Sequence, residues 1–271
     1  MTPASATLPS HAIGVFDSGV GGLTVARALM QRLPEENIIY FGDTARVPYG
    51  IKSVETIAHY ATQIAQFLLE RRVKLLVVAC NTMAAVAARA IADLSPVPVL
   101  DVIDAGARAA AAASRTRRVG VIGTLATVAS GAYDRAIHAA AADVEVRSQA
   151  CPLFVPFVEE GWLTHPATRL TAEEYLAPLR GAGLDTLVLG CTHYPLLAPL
   201  IQEVVGAEIA LVDSADTVAA DAAELLERLG LRNRVGRGEH RFYVSDVPQR
   251  FQQIGERFLG RPLTGVQVVG W

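Results

Sequence analysis

The fold of this chain is constrained most by an alternation of short apolar, β-branched runs with alanine-rich segments of helical length. Continuously apolar strands that are separated by helices are typical of a parallel sheet with helices on both faces. The pattern therefore predicts an α/β layered fold. Strands are predicted at residues 12–17, 37–42, 74–80, 97–102, 118–123, 143–149, 186–191 and 207–213. Helices are predicted at about 22–33, 53–71, 82–94, 104–115, 126–141, 171–181, 195–205 and 215–229.

The chain also repeats its own design, with no linker between the two copies. KLLVVACNT at 74–82 and DTLVLGCTH at 185–193 each place a buried strand, a small residue, a cysteine and polar residues ahead of a helix. The two cysteines, Cys80 and Cys191, are 111 residues apart, and the first strands of the copies are 106 residues apart. The repeat predicts two similar parallel-sheet α/β domains related by pseudo-twofold symmetry. Ligands of open α/β sheets bind beyond the carboxyl ends of the strands, so the active site is expected in the cleft between the domains.

The composition excludes several classes of protein. Hydrophobic residues make up 51% of the 271 residues and charged residues 19%, which excludes disorder as the dominant state. The longest uncharged stretch, between Asp185 and Glu203, is shorter than the ~20 apolar residues that a bilayer span needs. No membrane partner is therefore predicted. A net charge of −3 without a basic stripe predicts no nucleic-acid partner either.

The N-terminus and the cysteines bear on the location of the protein. The first ten residues, MTPASATLPS, lack the basic and apolar regions of a secretory signal, and residues 1–11 are predicted to form a disordered leader. Three cysteines without an export signal argue against a disulfide framework. We therefore predict a cytoplasmic protein with free thiols.

The loop DSGVGG at 17–22 joins the first strand to the first helix. Its glycines permit tight turns, and amides at a helix start can hold an anion. A dinucleotide loop is one alternative, with Asp43 as the ribose-binding acid, but that fingerprint needs a glycine at position 24, where threonine stands. A purely structural glycine turn is the other alternative, and it leaves Asp17 and Ser18 unexplained.

A second polar cluster, FGDTARVPYG at 41–50, follows the second strand. It is rich in turn-forming residues and offers the hydroxyl of Tyr49 and the backbone amide of Gly50. Such loops often carry function, but an ordinary connecting loop explains the composition equally well.

Cys80-Asn81-Thr82 and Cys191-Thr192-His193 are the most informative motifs. Each thiol ends a strand just before a helix, a position that stabilises a thiolate. Two opposed thiols in one cleft suit a reaction in which one takes a proton from a carbon and the other delivers a proton to the opposite face. That reaction inverts a stereocentre.

Competing interpretations of the cysteines fit less well. A zinc site would need C-x-x-C or H-x-x-H spacing, and a redox pair would need two closely spaced thiols. Cys151 is interpreted as a packing residue. Pyridoxal phosphate would need a lysine, but neither Lys52 nor Lys74 belongs to the clustered motifs, which favours a reaction without a cofactor.

The segment PFVEEGW at 156–162 places Glu159 and Glu160 in a turn-like stretch near the same edge. Either carboxylate could handle a proton. The residues themselves do not decide between the two, and ordinary solvation of exposed acids explains them as well.

Four motifs together resemble those of the bacterial glutamate racemases, which belong to the aspartate/glutamate racemase superfamily. They are GVFDSGVGGLTV, YFGDTARVPYG, ACNTMAA and GCTHYPLL, and the likeness extends from about residue 12 to SDVPQRF near the C-terminus. The resemblance implies interconversion of L- and D-glutamate without a cofactor, to supply D-glutamate for peptidoglycan. It also implies a first domain of residues 12–103 plus 214–271 and a second of residues 104–213.

The resemblance further implies a role for each residue of the motifs. Cys80 would deprotonate D-glutamate with help from Asp17, and Cys191 would deprotonate L-glutamate with help from His193. Glu159 matches the auxiliary acid of the family. The substrate-binding residues implied are Asp17, Ser18, Tyr49, Gly50, Asn81, Thr82, Thr192 and His193, with Thr124 as a weaker candidate and no metal ligand.

Other functions remain open at this point. The same scaffold could act on aspartate or a hydantoin, or could belong to a binding or regulatory protein that retains an inactive site. The presence of both thiols and of both sets of polar companions argues against an inactive site. Glutamate is the expected small-molecule partner, and a homodimer is left open.

Overall fold

Residues 7–270 are described by the computed structural model of the protein, and within this range ten strands form two parallel sheets. The strands are β1 (Ile13–Asp17), β2 (Ile38–Gly42), β3 (Leu75–Val78), β4 (Val99–Asp101), β5 (Arg118–Gly123), β6 (Glu145–Ala150), β7 (Thr186–Gly190), β8 (Ala210–Val212), β9 (His240–Val244) and β10 (Val266–Val268). The helices are α1 (Leu23–Arg32), α2 (Val54–Glu70), α3 (Asn81–Leu94), α4 (Val102–Ala113), α5 (Leu125–Ala129), α6 (Ala132–Ala140), α7 (Phe154–Glu159), α8 (Pro166–Leu176), α9 (Ala198–Val205), α10 (Ala215–Arg228) and α11 (Pro248–Leu259). Short 3-10 helices lie at Tyr49–Ile51 and Tyr194–Leu197.

Four strands of the larger sheet have the same order as the four strands of the smaller sheet. The six-stranded sheet runs β10-β9-β2-β1-β3-β4 and the four-stranded sheet runs β6-β5-β7-β8. The first four strands of the chain therefore correspond, place for place, to the next four, and all neighbouring strands are parallel. This arrangement confirms the predicted fold class and explains the repeated motif, because Cys80 follows β3 and Cys191 follows β7.

The six-stranded sheet is built from two distant parts of the chain. Its strands β1 to β4 come from residues 13–101, and β9 and β10 come from residues 240–268. Helices α1, α10 and α11 pack together on this sheet, whereas α4 packs on α6 and β7. We call each sheet with its covering helices the six-stranded unit and the four-stranded unit. Each strand belongs to the sheet that the predicted domain division would give it. The exact domain boundaries stay a prediction.

Helices on both faces explain why the central strands are apolar throughout. Every residue of β1, β2, β3 and β7 is buried, as expected for strands that have no solvent-facing side. Edge strands differ: β6, with the sequence EVRSQA, alternates between exposed and half-buried positions over its first four residues. None of the helices within residues 7–270 is long and apolar enough to cross a membrane.

Several elements differ from the sequence predictions. The helix predicted at 126–141 is two helices, α5 and α6, because Gly131 between them has a φ of +63° that a continuous helix cannot accommodate. The turn-like stretch predicted at 156–162 begins inside helix α7, of which Glu159 is the last residue. The helix predicted at 171–181 begins earlier, at Pro166, since proline is favoured in the first turn of a helix.

Three elements near the C-terminus were not predicted. Strand β9 has the sequence HRFYV and pairs with β2 on one side and β10 on the other. Its polar residues break the apolar pattern from which the other strands were predicted. Strand β10 has only three residues. Helix α11 begins at Pro248 and buries Phe251 and Phe258 on one face.

The last residues of the predicted leader contact the rest of the protein. Residues 1–6 of that leader lie outside the described residues. The following residues form a turn in which the Pro9 carbonyl accepts a hydrogen bond from the Lys74 ammonium at 2.5 Å and the Ser10 carbonyl accepts one from Asn37 at 2.9 Å. These bonds fix the chain just ahead of β1.

Lys74 is the centre of a buried polar cluster at the amino end of β3. Its ammonium forms an ion pair with Glu36 and donates to the carbonyl of Leu231 at 2.8 Å, and both charged side chains are fully buried. The other Glu36 oxygen accepts a hydrogen bond from the backbone amide of Asn233. The cluster therefore joins three parts of the protein: the turn before β1, the amino ends of β2 and β3, and the segment after α10.

We expect Lys74→Met to lower the free energy of unfolding by about 3–5 kcal/mol, because it leaves the Glu36 carboxylate buried without its cation. Urea denaturation measures this change. Arg89→Met is the matched control: it removes a cation from an exposed ion pair with Asp93 and should cost less than about 1 kcal/mol. Equal losses in the two variants would contradict the role given to Lys74.

Candidate active site

One cavity of about 360 Å³ lies between the carboxyl ends of the two sheets. Both cysteine motifs line it, as does the turn after β5, so the predicted facing of the two edges is found in the structure. Among the described residues that line it, none is lysine or arginine. The predicted site residues on its wall are Ser18, Tyr49, Gly50, Cys80, Asn81, Thr82, Thr124, Glu159, Cys191, Thr192 and His193. Asp17 lies behind this wall, buried next to Cys80.

Cys80 caps the amino end of α3. Its Sγ accepts a hydrogen bond from the backbone amide of Met83 and lies 3.5 Å from the Ser18 hydroxyl. Burial nevertheless raises the pKa of the Cys80 thiol to about 12, and the negative charge of Asp17 adds to this rise. The amide at the helix start lowers the pKa of Cys80, as predicted, but burial and the nearby carboxylate outweigh it.

Asp17 has one oxygen for which no hydrogen bond is found within the described part of the chain, although the side chain lies behind the cavity wall. Its Oδ2 accepts a hydrogen bond from the backbone amide of Gly19 at 2.9 Å, and its buried Oδ1 has no hydrogen-bond partner among residues 7–270. Burial raises the pKa of this carboxyl group, while the charge of His193 opposes the rise. A buried acceptor without a partner costs free energy.

The second thiol has a different environment. Cys191 Sγ lies 3.9 Å from His193 Nδ1, and His193 Nε2 lies 3.1 Å from Glu159 Oε1. Burial lowers the pKa of His193, but its hydrogen bonds with Cys191 and Glu159 reverse the effect and raise the pKa to about 10. Next to Cys191 there is thus a histidine with a raised pKa, where Cys80 has a carboxylate.

The structure brings Glu159 to the histidine, but not Glu160. Burial raises the pKa of Glu159, and the hydrogen bond and charge of His193 lower it further than burial raises it. Glu160 is exposed and lies 3.4 Å from the guanidinium of Arg250 on α11. Of the two carboxylates between which the sequence left the choice open, Glu159 is thus the one that contacts His193.

Two glycines allow the units to approach each other at the site. A Cβ atom on Gly21 would lie 2.2 Å from the Thr192 hydroxyl and 2.6 Å from His193 Nδ1, and one on Gly50 would lie 2.8 Å from Thr124 Cβ. A side chain at either position would collide with the opposite edge. The glycines at these two positions are required by close approach rather than by turn geometry.

Direct hydrogen bonds also join the two edges. Thr82 Oγ1 lies 3.0 Å from Thr124 Oγ1 and 3.3 Å from Thr127 Oγ1, and the Tyr133 hydroxyl donates to Asn81 Oδ1 at 2.6 Å. Sequence reasoning missed Thr127 and Tyr133. A signal for Thr127 was present, because it follows Thr124 by three residues, one turn of a helix that begins at Leu125.

The 41–50 loop is held by its own carboxylate. The Tyr49 hydroxyl donates to Asp43, the Ser245 hydroxyl donates to it at 2.7 Å, and Arg46 forms an ion pair with it at 2.6 Å. Tyr49 therefore offers its backbone rather than its hydroxyl to the cavity. Asp43 is fully engaged by the loop, which removes the ribose-binding role that the dinucleotide alternative gave it.

The remaining candidates lie outside the site. Cys151 is fully buried, its carbonyl accepts a hydrogen bond from Tyr194, and like Cys80 and Cys191 it is a free cysteine. Lys74 is engaged by Glu36 at the opposite end of β3. Over residues 7–270, no three His, Cys, Asp or Glu side chains are grouped as a metal site requires.

A doubly covered α/β fold with paired thiols across a cleft defines a class of racemases. A sequence model of the Asp/Glu/hydantoin racemase family matches residues 23–222, which is more than half of the chain. The chain therefore belongs to the Asp/Glu/hydantoin racemase family.

Its relatives specify the group within that family. The glutamate racemase of Syntrophus aciditrophicus is 66% identical over 261 residues, 96% of each chain. The structure of Francisella tularensis glutamate racemase with D-glutamate superposes with a TM-score of 0.92 at 40% identity, over 97% of this chain and 98% of that one. The Thermus thermophilus glutamate racemase, in complex with β-chloro-D-alanine, gives 0.89 at 46% identity over the same shares. The resemblance predicted from the motifs is confirmed, and the chain is an enzyme of the glutamate racemase group.

We expect Asp17→Asn to lower the pKa of the Cys80 thiol, because the charge of Asp17 is one cause of its rise. Burial remains, so the pKa stays above that of an unperturbed thiol. The rate of alkylation by iodoacetamide as a function of pH, followed for each cysteine by peptide mass spectrometry, measures the shift. An unchanged midpoint for Cys80 would contradict the assignment, and Cys151 in the same peptide map is the internal control.

Proposed function

We propose that this protein interconverts L-glutamate and D-glutamate without a cofactor, using Cys80 and Cys191 as the two proton-transfer groups. The observation that carries the proposal is the facing of two free, buried thiols across one cavity, each at the carboxyl end of a corresponding strand. The names of the relatives and the D-glutamate held by the Francisella enzyme support glutamate as the substrate.

The chemical step is a proton transfer at the α-carbon. The Cys191 thiolate takes the α-proton of L-glutamate, and the electron pair of the C–H bond moves into the carboxylate, giving an aci-carboxylate anion. The Cys80 thiol gives its proton to the opposite face, and the product is D-glutamate. Each turnover exchanges the protonation states of the two thiols, so the enzyme is then prepared for the reverse reaction.

The charges beside the thiols fit this sequence of events. A Cys80 thiol with a pKa of about 12 keeps its proton at neutral pH and is a proton donor in the resting enzyme. His193, whose pKa is raised to about 10, lies 3.9 Å from Cys191 Sγ and would place a positive charge beside the group that takes the α-proton. In the direction from D- to L-glutamate, Asp17 would take the proton of the Cys80 thiol so that Cys80 can act as the base. Glu159 would hold the ring of His193 in place.

Substrate binding would use neutral donors and fixed backbone amides. Ser18, Thr82, Thr192 and the backbone at Gly50 line the cavity with hydrogen-bond donors, and no cationic side chain is among the described lining residues apart from His193. Preorganised donors of this kind stabilise charge that develops on a carboxylate in the transition state. Asp17, which is buried behind the wall, would act through Cys80 rather than on the substrate directly.

The product suggests the biological role. D-glutamate would be supplied for the peptidoglycan of the cell wall, as the resemblance implies. Aspartate and hydantoins remain the alternative substrates within the same family, and the experiment below compares them directly.

The function is tested by incubating the purified protein with L-glutamate in deuterated buffer, with no cofactor added. Optical rotation is expected to fall to zero while deuterium appears at the α-carbon. Persistent rotation with reduced, folded protein would overturn the proposal. Turnover of L-aspartate or a 5-substituted hydantoin instead of glutamate would change the substrate but keep the reaction.

We expect Cys80→Ser and Cys191→Ser each to reduce racemisation by at least about a thousandfold, because a serine hydroxyl is a far weaker acid and base in this position. A 3-chloro analogue of glutamate separates the two roles, since its elimination needs one base: the α-proton is removed and chloride leaves. Cys80→Ser should still eliminate HCl from the L-configured analogue, and Cys191→Ser from the D-configured one.

The matched control for these variants is Cys151→Ala, a buried cysteine that does not line the cavity. Its turnover should stay within about threefold of the wild type, although its stability falls through the small cavity created. Near-normal racemisation by either serine variant would exclude the two-thiol mechanism.

We expect Glu159→Gln to move the high-pH limb of kcat/KM to lower pH. The imidazolium form of His193 exists below its pKa of about 10, and the hydrogen bond and charge of Glu159 contribute to that high value. Without the carboxylate the pKa falls, so the active form is lost at a lower pH. Glu160→Gln, which removes the neighbouring exposed carboxylate, should leave the pH profile unchanged.

A further inference from the structure

A buried tyrosine outside the motifs holds one of the proposed substrate-binding residues. Tyr133 on α6 belongs to the four-stranded unit, and Asn81 on α3 belongs to the six-stranded unit. The Tyr133 hydroxyl donates to Asn81 Oδ1 at 2.6 Å, and both residues are at most 3% exposed. Tyr133 does not line the cavity, whereas Asn81 does.

An asparagine amide can present either of two opposite groups to a ligand. Its oxygen accepts hydrogen bonds, and its nitrogen donates two. A rotation of the amide group by half a turn exchanges them, so a site that binds a carboxylate through asparagine needs a second contact to fix the orientation. The hydroxyl of Tyr133 supplies that contact, because it occupies the oxygen and leaves the NH₂ group as the polar end for a ligand.

We propose that Tyr133 is a positioning residue for substrate binding: its hydroxyl fixes the Asn81 amide with the NH₂ group towards a carboxylate of the substrate. The inference rests on the proposed function, in which a dicarboxylate amino acid occupies the cavity. It adds a residue that does not touch the substrate and acts only through Asn81.

The packing around Tyr133 is built for a ring and hydroxyl in this place. A Cβ atom on Gly190 would lie 3.0 Å from Tyr133 Cε2, and one on Gly106 would lie 3.1 Å from the hydroxyl. Gly106 is inside helix α4, where glycine costs ~1 kcal/mol relative to alanine. The space that Tyr133 needs is a physical reason for a glycine at this position.

The phenol is also kept in the donating form. Burial raises its pKa well above the ordinary value, and the negative charges of Asp101 and Asp213 add to the rise. A tyrosine that stays protonated can donate to the amide oxygen at every pH at which the enzyme works. The contact therefore does not depend on titration of Tyr133.

The hydrogen bond between Tyr133 and Asn81 joins the two units, so substrate binding through Asn81 would depend on how closely the units approach each other. Asn81 can be oriented by Tyr133 only while α3 and α6 are in contact, the same condition that brings Thr82 to Thr124. The Asn81 NH₂ group, the proposed donor to the substrate, is thus oriented by a residue of the unit on the other side of the cleft.

The test is a double-mutant cycle with Tyr133→Phe and Asn81→Ala, in which kcat and KM for D-glutamate are measured. Tyr133→Phe alone should raise KM by about tenfold, the usual effect of losing one hydrogen bond to a charged group, with a smaller change in kcat. In the Asn81→Ala background the same change should have no further effect, since the amide through which it acts is gone.

Tyr194→Phe is the matched control, because it also removes a buried phenol hydroxyl, one that donates to the Cys151 carbonyl at 2.9 Å and not to Asn81. Any loss that it causes should be the same with and without Asn81. If Tyr133→Phe behaves in this way too, or leaves KM unchanged, the proposal is overturned.

Gly106→Ala keeps the phenol but places a Cβ atom 3.1 Å from its hydroxyl, a contact that moves Tyr133 by only a few tenths of an ångström. It should therefore raise KM by less than Tyr133→Phe does. A larger rise in KM than that of Tyr133→Phe would contradict the proposal. Absence of racemisation by the wild-type protein would instead overturn the proposed function, which is a distinguishable result.

Discussion

The close approach of two sheet edges is the constraint on which the rest of this structure depends. The loop after β1 passes so near the turn after β7 that a methyl group on Gly21 would collide with Thr192 and His193. The same approach allows Thr82 to contact Thr124 and Tyr133 to contact Asn81. Neither sheet alone forms the cavity. The two thiols line it together because β3 and β7, which hold the same place in their sheets, end on opposite sides of it.

The two sides of the cavity have similar backbones but opposite electrostatics. Asp17 lies beside Cys80 and raises the pKa of its thiol, whereas His193, whose own pKa is raised to about 10, lies beside Cys191. Glu159, from the end of α7, holds the histidine and has no counterpart in the six-stranded unit near Cys80 among the described lining residues. A duplicated fold has thus acquired different partners for its two thiols, which is what a reaction with one donor and one acceptor requires.

The sequence predicted the parts of this structure that are encoded locally. Strands such as β1 and β7 are apolar throughout because both faces are covered, and each cysteine motif directly follows such a strand. Contacts between distant residues were beyond it: Tyr133 and Asn81 are 52 residues apart, and Ser245 and Asp43 are 202 apart. Strand β9 was missed because its pairing with β2, and not its own polar sequence, makes it a strand. The choice between Glu159 and Glu160 depended on where one short helix ends.

The distant origin of β9 has a consequence for synthesis of the protein. All strands of the four-stranded sheet lie within residues 118–212, so that sheet is complete as soon as this stretch has been made. Strand β2 must wait for its neighbour β9, because Ile38 pairs with His240. At 5–20 residues per second, the ~200 intervening residues take about 10–40 seconds to translate. During that time one edge of the larger sheet stays unpaired on the ribosome, at the stage when open strand edges are most exposed to association with other chains.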